Sequence, residues 1–489
     1  MAAWIKKKLN DLTQKIFNGE IDLKALIKSL LIHIVIWTFF CLLFGSIGFK
    51  KAKLYILLSF FLNGFVFYGM MINSLKKRAF SLDLIHWFFL FSFMFFAPMV
   101  QYLNEAWCWG TSFSDSRIII TNLLLDLWVL VYVWAQRTNV LRIKKEKVML
   151  DSKSQDAFRG IKVNRVFLLI GVLISDLIAV YLFARYGTAL FSRATNTAFE
   201  FDSVTLTLIA SSVVPAFITG VTALAFCNVI PHGKPVDWLL LCMQGVALLI
   251  VCFPFGMARF KMAVIYIGLL LIIFPFLRKG SWFLWMMILG LVVIFPVINA
   301  FRRISFEEVN LFETIINVLT SILDDFLEGD YDAYTMFMLT QEYVAEKGLS
   351  YGMQLVGVLF FFIPRSVWPT KPVGSGQTAA EFFNWGFTNL SCPLPAEGFI
   401  NFGIIGVILF AFILSKAVKV LDDTFWERNN LGVKVVYIFI VPFLFFMMRG
   451  DLLSSFAYLV GFSVPVVLLY NLNALCVKLS RRPIYSQQK

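Results

Sequence analysis

Two short segments beside long apolar stretches carry residues suited to chemistry at a membrane surface. The first is segment 364–372, PRSVWPTKP, whose three prolines fix φ and hold Arg365 and Lys371 next to Trp368. The second is segment 449–451, RGD, which is wedged between two apolar runs with almost no loop around it. The first segment suits an interfacial position, and the second places a cation at the end of an apolar run.

A third cationic cluster consists of Arg259 and Lys261 in a tight turn between two apolar segments. Arginine beside a span has an ordinary explanation, because its long side chain reaches the lipid headgroups. Its planar and permanently charged guanidinium also pairs bidentately with phosphate oxygens. Arg365, Arg449 and Arg259 together therefore predict a binding site for a lipid diphosphate. If the diphosphate is a leaving group, these residues stabilise its developing charge.

Transfer onto a hydroxyl group also needs a residue that accepts the proton. The topology derived below places no histidine near the outer face. The histidines are His33, His86 and His232. A carboxylate is therefore favoured, and those in the outer layer are Asp330, Asp332, Glu397 and Asp451. Each of these is equally explained as the partner in a surface salt bridge. The carboxylates form no cluster of metal ligands, so we expect no metal and no other cofactor.

The elements that position these residues are membrane-spanning helices. The chain has 489 residues, of which 59% are apolar and 15% charged, whereas soluble domains carry about a quarter charged residues. A helix crosses the hydrocarbon core with about 20 apolar residues. The predicted spans are 29–48, 54–72, 83–103, 117–135, 166–184, 204–226, 237–255, 262–277, 281–299, 398–415, 433–448 and 452–472. The runs do not alternate as barrel strands do, so we predict an all-α polytopic membrane protein of about twelve spans.

Basic residues in short connectors predict the orientation of the chain in the membrane. The connector between the fourth and fifth spans, 137–165, is the most basic and is therefore placed in the cytoplasm, together with both termini. Lys50, Lys51 and Lys53 fall on the outer side and contradict this pattern. The formal charge of +13 comes from the Lys and Arg residues of these connectors, which set the orientation and contact membrane lipids. Nucleic acid is therefore not expected as a partner.

The predicted order is a cytoplasmic amphipathic helix, nine spans, a large outer (periplasmic) connector, three spans and a basic cytoplasmic tail. Their predicted bounds are 1–28, 29–299, 300–397, 398–472 and 473–489. The connector begins with an acidic stretch that includes Glu307, Glu308, Asp324, Asp325 and Glu328. Its apolar run 353–363 is too short to span and predicts a re-entrant or interfacial helix that ends at Pro364. Cys108 and Cys392 fall on the same outer face, where a disulfide between them is one alternative to two free thiols.

Segment 360–372, FFFIPRSVWPTKP, resembles the signature of the Wzy-type O-antigen and oligosaccharide repeat-unit polymerases. Segment 397–406, EGFINFGIIG, follows it as in that family. Segment 331–334, YDAY, and segment 449–451 also resemble the family pattern. The resemblance extends over roughly 300–470, whereas the first half of the chain matches only in hydropathy and in the turn at Arg259.

The resemblance implies a GT-C-like glycosyltransferase in the bacterial plasma (inner) membrane. Such an enzyme would transfer a growing glycan from undecaprenyl diphosphate onto a lipid-linked oligosaccharide repeat unit, without a metal. A chain-length-regulating co-polymerase and a flippase are the expected protein partners. The implied catalytic residues are Arg365, Arg449, Asp451 and Arg259. The implied substrate-binding residues are Lys371, Trp368, Tyr331, Asp332, Glu397 and Asn401, with Trp368 and Lys371 shaping the glycan entrance.

Two other functions fit a polytopic membrane protein. A flippase for lipid-linked oligosaccharides needs charged residues deep in the membrane, and Asp126 and Asp176 are the obvious intramembrane carboxylates. It also has no use for a large outer connector. An O-antigen ligase is the other alternative, and the resemblance implies an outer-face histidine for that enzyme. The sequence leaves open whether the polymer is O-antigen, capsule or exopolysaccharide.

Overall fold

The computed structural model describes most of the chain as helices joined by turns. The described residues are 23–49, 52–138, 161–193, 195–201, 204–229, 233–301, 316, 320–427 and 431–480. No strand occurs among them, which confirms the all-α class. Several predicted features lie outside the described residues, namely most of the N-terminal amphipathic helix, most of the basic connector, Glu307, Glu308 and the end of the basic tail.

The first seven helices are long and run back and forth through the bundle. They are α1 Leu23–Gly48, α2 Leu54–Lys77, α3 Leu82–Leu103, α4 Asp115–Arg137, α5 Arg165–Tyr186, α6 Val204–Val229 and α7 Pro235–Val251. Two shorter apolar helices follow, α8 (259–273) and α9 (282–301), and each contains a π-helical turn. In the described part of the predicted outer connector, a single helical turn Ile322–Asp325 precedes three longer helices, α10 Ala333–Lys347, α11 Met353–Leu359 and α12 Ser375–Phe382. The last three are α13 Leu394–Glu427, α14 Leu431–Arg449 and α15 Leu452–Leu479.

Every predicted span falls on one of these helices. Nine helices within the described residues are long and apolar enough to cross a membrane. The three predicted spans outside that set lie on α8, α9 and α14. Leu42, Leu130 and Leu177 are more than two-thirds exposed, as expected for faces that contact lipid. The chain is therefore a polytopic helical membrane protein, and the count of twelve spans stays a prediction.

The helix ends that we predicted to face the cytoplasm lie close together. At the end of α2, Arg78 pairs with Asp423 of α13 at 2.8 Å. At the start of α5, the Asn164 backbone N–H donates to Asn473 of α15 at 2.9 Å. Lys416 of α13 donates to backbone carbonyls at the end of α4. These contacts fit an antiparallel bundle whose basic ends share one side.

The opposite helix ends also meet one another. The Lys53 ammonium pairs with Asp115 at the start of α4, and the Tyr55 hydroxyl donates to the same carboxylate at 2.6 Å. Lys53 is thus neutralised by a carboxylate, which accounts for a basic residue on the side that we predicted to be the outer one. Which side faces the cytoplasm stays a prediction from the basic connectors.

Helix α13 is longer than the predicted span 398–415. It begins at Leu394 and ends at Glu427, with a kink at Phe402 and Gly403. Gly403 has φ of 62°, a left-handed conformation that glycine adopts without steric cost. The part of α13 before the kink lies on the side that we predicted to be the outer one, and the remainder continues through the bundle.

The short apolar run in the connector forms α11, which ends at Leu359, before Pro364. Cys108 and Cys392 are both buried free thiols. The Cys108 thiol donates to the Glu328 carbonyl at 3.2 Å. The alternative of a disulfide between them is therefore wrong for this structure.

Candidate active site

Two adjoining chambers lie where the ends of α8, α14 and α15 meet the connector. The first chamber has a volume of about 600 Å³ and the second about 300 Å³. Both are lined by Arg259, Glu328, Asp330, Asn389, Phe446, Arg449 and Ser454. The boundary between the chambers therefore carries two arginines and two carboxylates.

Helix boundaries bring the two arginines to this position. Arg259 is the first residue of α8, and Arg449 is the last residue of α14. Gly450 is the sole residue between Arg449 and the N-cap of α15, Asp451, whose carboxylate accepts from the Ser454 backbone N–H at 2.7 Å. Because the N-cap satisfies the first turn of α15, the chain reverses here without a loop.

Asp330 joins the two arginines. Its two carboxylate oxygens accept from the two terminal nitrogens of Arg259, both at 2.5 Å. Arg449 approaches the same carboxylate at 4.0 Å. A bidentate arginine–carboxylate pair fixes the plane of the guanidinium, so Arg259 is oriented before any ligand enters.

Asp332 holds Arg449 from behind the second chamber. Its side chain is buried and accepts from Ser391 Oγ at 2.6 Å, from Trp109 Nε1 at 3.2 Å and from Arg449 Nη2 at 3.4 Å. Burial raises the pKa of the Asp332 carboxyl, and the adjacent Arg449 guanidinium opposes that rise. The carboxylate thus has three donors around it, one of which is the candidate phosphate-binding arginine.

Part of the Arg449 guanidinium is left for a ligand. Nη2 donates to the Gly329 carbonyl at 3.0 Å, whereas Nε is buried and has no hydrogen-bond partner among the described residues. A buried donor without a partner is unfavourable. The side chain as a whole is 28% exposed and lines both chambers, so an oxygen-rich anion there can reach the guanidinium.

Lys261 adds a third cation to the first chamber, beside Arg259 and Arg449. Its ammonium donates to the Ser211 carbonyl at 3.1 Å and lies 4.7 Å from the centroid of the Tyr458 ring. Burial, together with Arg193, lowers the pKa of Lys261 to about 8. Arg193 lines the same chamber. The first chamber is thus cationic at Arg193 and Lys261 as well as at Arg259 and Arg449.

Asp325 and Glu328 are carboxylates of the first chamber that hold no arginine, and Glu200 is a further carboxylate of its wall. Neither Asp325 nor Glu328 makes an ion pair or a side-chain hydrogen bond with the described residues. Burial and the neighbouring carboxylates, Glu328 first, raise the pKa of Asp325. Glu328 also lines the second chamber. Both residues are therefore suited to accept a proton.

A third, apolar pocket opens from the first chamber toward the membrane-spanning part of the bundle. The two share the residues Ala263, Leu291, Phe295, Pro442 and Phe445. The pocket continues between α3, α8, α9 and α14, along Ile85, Ile267, Met286 and Met287. The pocket has a volume of about 70 Å³. A polar chamber beside such an apolar pocket fits a ligand with a charged head and the beginning of a hydrocarbon tail.

The structure brings together some of the residues predicted from sequence. Arg259, Arg449, Asp451 and Tyr331 line the chambers, and Asp332 lies directly behind Arg449. The buried Tyr331 donates its hydroxyl hydrogen to the Leu291 carbonyl at 3.1 Å. The predicted cationic turn at Arg259 and the predicted turn at Arg449 thus meet in space.

Arg365, Trp368 and Lys371 do not line either chamber. Arg365 donates to the Lys371 carbonyl at 2.7 Å, and Lys371 donates to the Phe361 and Ile363 carbonyls at 2.5 and 3.0 Å. Trp368 donates to the Thr370 hydroxyl at 3.2 Å. These side chains satisfy polar groups of their own segment, and their catalytic or binding roles stay predictions.

Glu397 and Asn401 are buried and lie outside the chamber walls. Glu397 accepts from the Leu452 backbone N–H and from Ser375 Oγ, both at 2.8 Å. Asn401 accepts from Ser350 Oγ at 3.0 Å. In this structure both residues bind the connector to the helices. Neither of them lines a chamber, and their substrate-binding roles stay predictions.

Some chamber residues carried little signal in the sequence. Asp325 and Glu328 belonged to the acidic stretch but had no predicted role. Trp109, Arg193 and Asn389 were not predicted, because each lies in a connector far along the chain from the cationic clusters. Lys261, by contrast, was visible as the neighbour of Arg259. Long-range packing, which no local pattern encodes, brings the others to the site.

The fold and the site define a polytopic helical membrane protein with a chamber at one end of its bundle whose wall, among the described residues, carries four cations and four carboxylates. Residues 381–479 match the family model described as O-antigen polysaccharide polymerase Wzy. This match covers about a fifth of the chain and includes α13, α14 and α15 with Arg449 and Asp451. It confirms the resemblance found in the sequence over this part and supports a polysaccharide polymerase as the general function. No curated protein and no solved structure matches the chain significantly.

Proposed function

We propose that this protein is a polysaccharide polymerase of the outer face of the bacterial plasma membrane. In this proposal it transfers a growing glycan from undecaprenyl diphosphate onto a lipid-linked oligosaccharide repeat unit. The observation that carries the proposal is the first chamber, which contains the Arg259–Asp330–Arg449 group and leads into the apolar pocket. A polyprenyl diphosphate has the same division into an anionic head and an apolar tail.

The chemistry follows from the charges around the chambers. A hydroxyl oxygen of the acceptor sugar attacks the anomeric carbon of the donor glycan, and the bond from that carbon to the diphosphate oxygen breaks. The diphosphate leaves with the electron pair, and Arg449, Arg259 and Lys261 stabilise its charge. The hydroxyl proton passes to a carboxylate of the chamber. Asp330 and Asp332 are positioning residues, since they orient the two arginines.

Glu328 is the carboxylate best placed to accept the proton, because it lines both chambers and holds no arginine. Glu328→Gln is expected to lower the transfer rate about 10²-fold, while the affinity for lipid diphosphate changes little. The measurement is single-turnover transfer in membranes, with donor binding measured separately. Asp324→Asn, an exposed carboxylate in the same segment, serves as the matched control. A Glu328→Gln variant with the wild-type rate would refute this role, and Asp325 would be the next candidate.

The pKa of Lys261 gives the proposal a pH dependence. The residue precedes the predicted span 262–277, and its ammonium is charged below a pKa of about 8 and neutral above it. We therefore expect donor binding to weaken severalfold as the pH rises through that value, because one cation of the first chamber is lost. In Lys261→Arg the guanidinium stays charged, so the weakening should disappear. Affinity for lipid diphosphate, measured across this range for both proteins, tests the idea; superimposable pH profiles would contradict it.

The remaining predicted residues have subordinate roles in the proposal. Trp368 and Lys371 shape the entrance for the glycan. Arg365, which the sequence predicted to be catalytic, belongs to the same surface segment and is given a lesser role than Arg449. A flippase would supply the repeat unit, and a co-polymerase would regulate chain length. The described carboxylates, histidines and cysteines contain no group that could hold a metal ion, and the mechanism above uses none.

The proposal is tested in a deletion strain complemented with the wild-type gene, by separating the surface glycans on a gel. A ladder in the complemented strain and single repeat units in the deletion strain are the expected result. Long chains that persist in the deletion strain would contradict a polymerase. Loss of all surface glycan, with no single-unit product, would favour the flippase, and unligated polymer on its lipid carrier would favour the ligase.

A further inference from the structure

An aromatic shelf lies beside the second chamber. We define it as Trp109, Phe383, Trp385 and Phe387. The Trp385 and Phe387 rings are stacked with centroids 5.9 Å apart, and Phe383 stacks on Trp385 at 5.5 Å. Trp109 lies 4.7 Å from Phe387. Phe387 is 43% exposed, whereas the other three rings are partly exposed and also pack against a small buried cluster that includes Met336 and Leu339. The shelf therefore presents part of its aromatic surface.

Trp109 joins the shelf to the second chamber. It lines that chamber, and its indole N–H donates to Asp332 at 3.2 Å. Its φ is 65°, a left-handed conformation that non-glycine residues adopt at a cost. A Cβ added to Gly329 would lie 2.1 Å from the indole ring, so glycine is what permits this packing. The ring is thus held in one place against the residue that positions Arg449.

Polar groups continue the shelf into the chamber wall. The segment 385–391 runs from the shelf to Asn389, which lines both chambers, and to Ser391, which donates to Asp332. Asn389 is exposed and can donate and accept hydrogen bonds through its amide. Aromatic faces therefore lie next to exposed polar groups along one continuous surface.

We propose that the aromatic shelf is a carbohydrate-binding subsite that holds sugar rings of the glycan at the second chamber. A pyranose has a face of C–H groups that packs on an aromatic ring, and a rim of hydroxyl groups that hydrogen-bonds to amides and carboxylates. Sites of this kind combine aromatic surface with a few convergent polar groups. The inference rests on the proposed function, because it assigns the first chamber to the lipid diphosphate and the second to its glycan.

Direct binding tests the shelf without requiring turnover. The full chain is purified in detergent micelles and titrated with lipid-free oligosaccharide repeat units released from the host strain's lipid carrier by mild acid. Trp385→Ala is expected to weaken binding about tenfold, and Trp385→Phe to retain it within about threefold because an aromatic face remains. Phe362→Ala is the matched control, since Phe362 is a 55% exposed ring of the same connector outside the shelf.

The outcomes separate this inference from the proposed function. Weaker binding in Trp385→Ala and Phe387→Ala, with Phe362→Ala like wild type, supports the subsite. Equal binding by all of these proteins would overturn it and make the shelf an anchor in the lipid headgroup layer. Polymer length in the complemented deletion strain is the second measurement, and the shelf variants are expected to give shorter chains. A wild-type chain that binds the glycan but forms no polymer would refute the polymerase and leave the subsite standing.

Discussion

Replacing Arg449 with alanine is expected to lower the rate of polymer formation about 10²–10³-fold. Arg449 is the arginine whose Nε is buried without a partner among the described residues, while Nη2 is held by Gly329 and Asp332. The oriented guanidinium is thus available to an anion at its remaining nitrogens. Arg449→Lys is expected to recover little activity, because lysine lacks the planar fork. The measurement is the initial rate of polymer formation in membranes with matched protein levels.

Two other arginines make this experiment specific. Arg185→Ala is the matched control, because Arg185 is exposed and donates to Tyr181 on its own helix. Arg365→Ala tests the residue that the sequence motif favoured but that hydrogen-bonds to its own segment. We expect Arg185→Ala to be neutral and Arg365→Ala to lose far less activity than Arg449→Ala. A larger loss in Arg365→Ala would favour the sequence-based assignment over the chamber.

The Arg259–Asp330 pair gives the second large effect. Arg259→Ala is expected to lower the transfer rate about 10²-fold, since it removes one of the cations at the boundary between the chambers. Asp330→Asn keeps the side-chain volume but removes the charge that orients Arg259 through two bonds of 2.5 Å. It is expected to lower the rate about tenfold, because Arg259 remains but is less well held.

The double variant distinguishes positioning from an independent role. If Asp330 acts only by holding the arginines, adding Asp330→Asn to Arg259→Ala should lower the rate by less than the product of the two single effects. Transfer rates of the four proteins complete the cycle, and thermal melting of each in detergent monitors folding. Fully multiplicative losses would show that Asp330 contributes to the reaction apart from Arg259. The buried Asp332, which retains its contact with Arg449, is left unchanged throughout.

The sequence predicted the helical class and the arginines at helix ends because both depend on local patterns. Apolar runs of sufficient length define spans, and a cation at the end of a span is visible without knowing its neighbours. The segment around Arg365 carried the strongest motif, yet its cations bind backbone carbonyls in the structure. A sequence does not reveal whether a cation beside prolines is bound by a ligand or by its own chain.

Contacts between distant residues explain what the sequence did not predict. Trp109 and Asp332 are separated by 223 positions and meet only after the connector packs on the bundle. The length of α13 was underestimated because its last part contains Lys416, Lys419 and Asp422, which lower the hydropathy. In the structure these polar groups bind the ends of α3 and α4. Tertiary partners, and not local composition, keep that part helical.

The two arginines at the boundary between the chambers, together with the two carboxylates that hold them, also have a consequence for selectivity. The guanidiniums of Arg259 and Arg449 are balanced by the carboxylates of Asp330 and Asp332. When both carboxylates are ionised, this group has no net charge and exerts little long-range attraction on small anions. Inorganic phosphate in the surrounding medium would therefore compete poorly for this position. A ligand gains from the oriented donors only when its other parts, tail or glycan, hold it there.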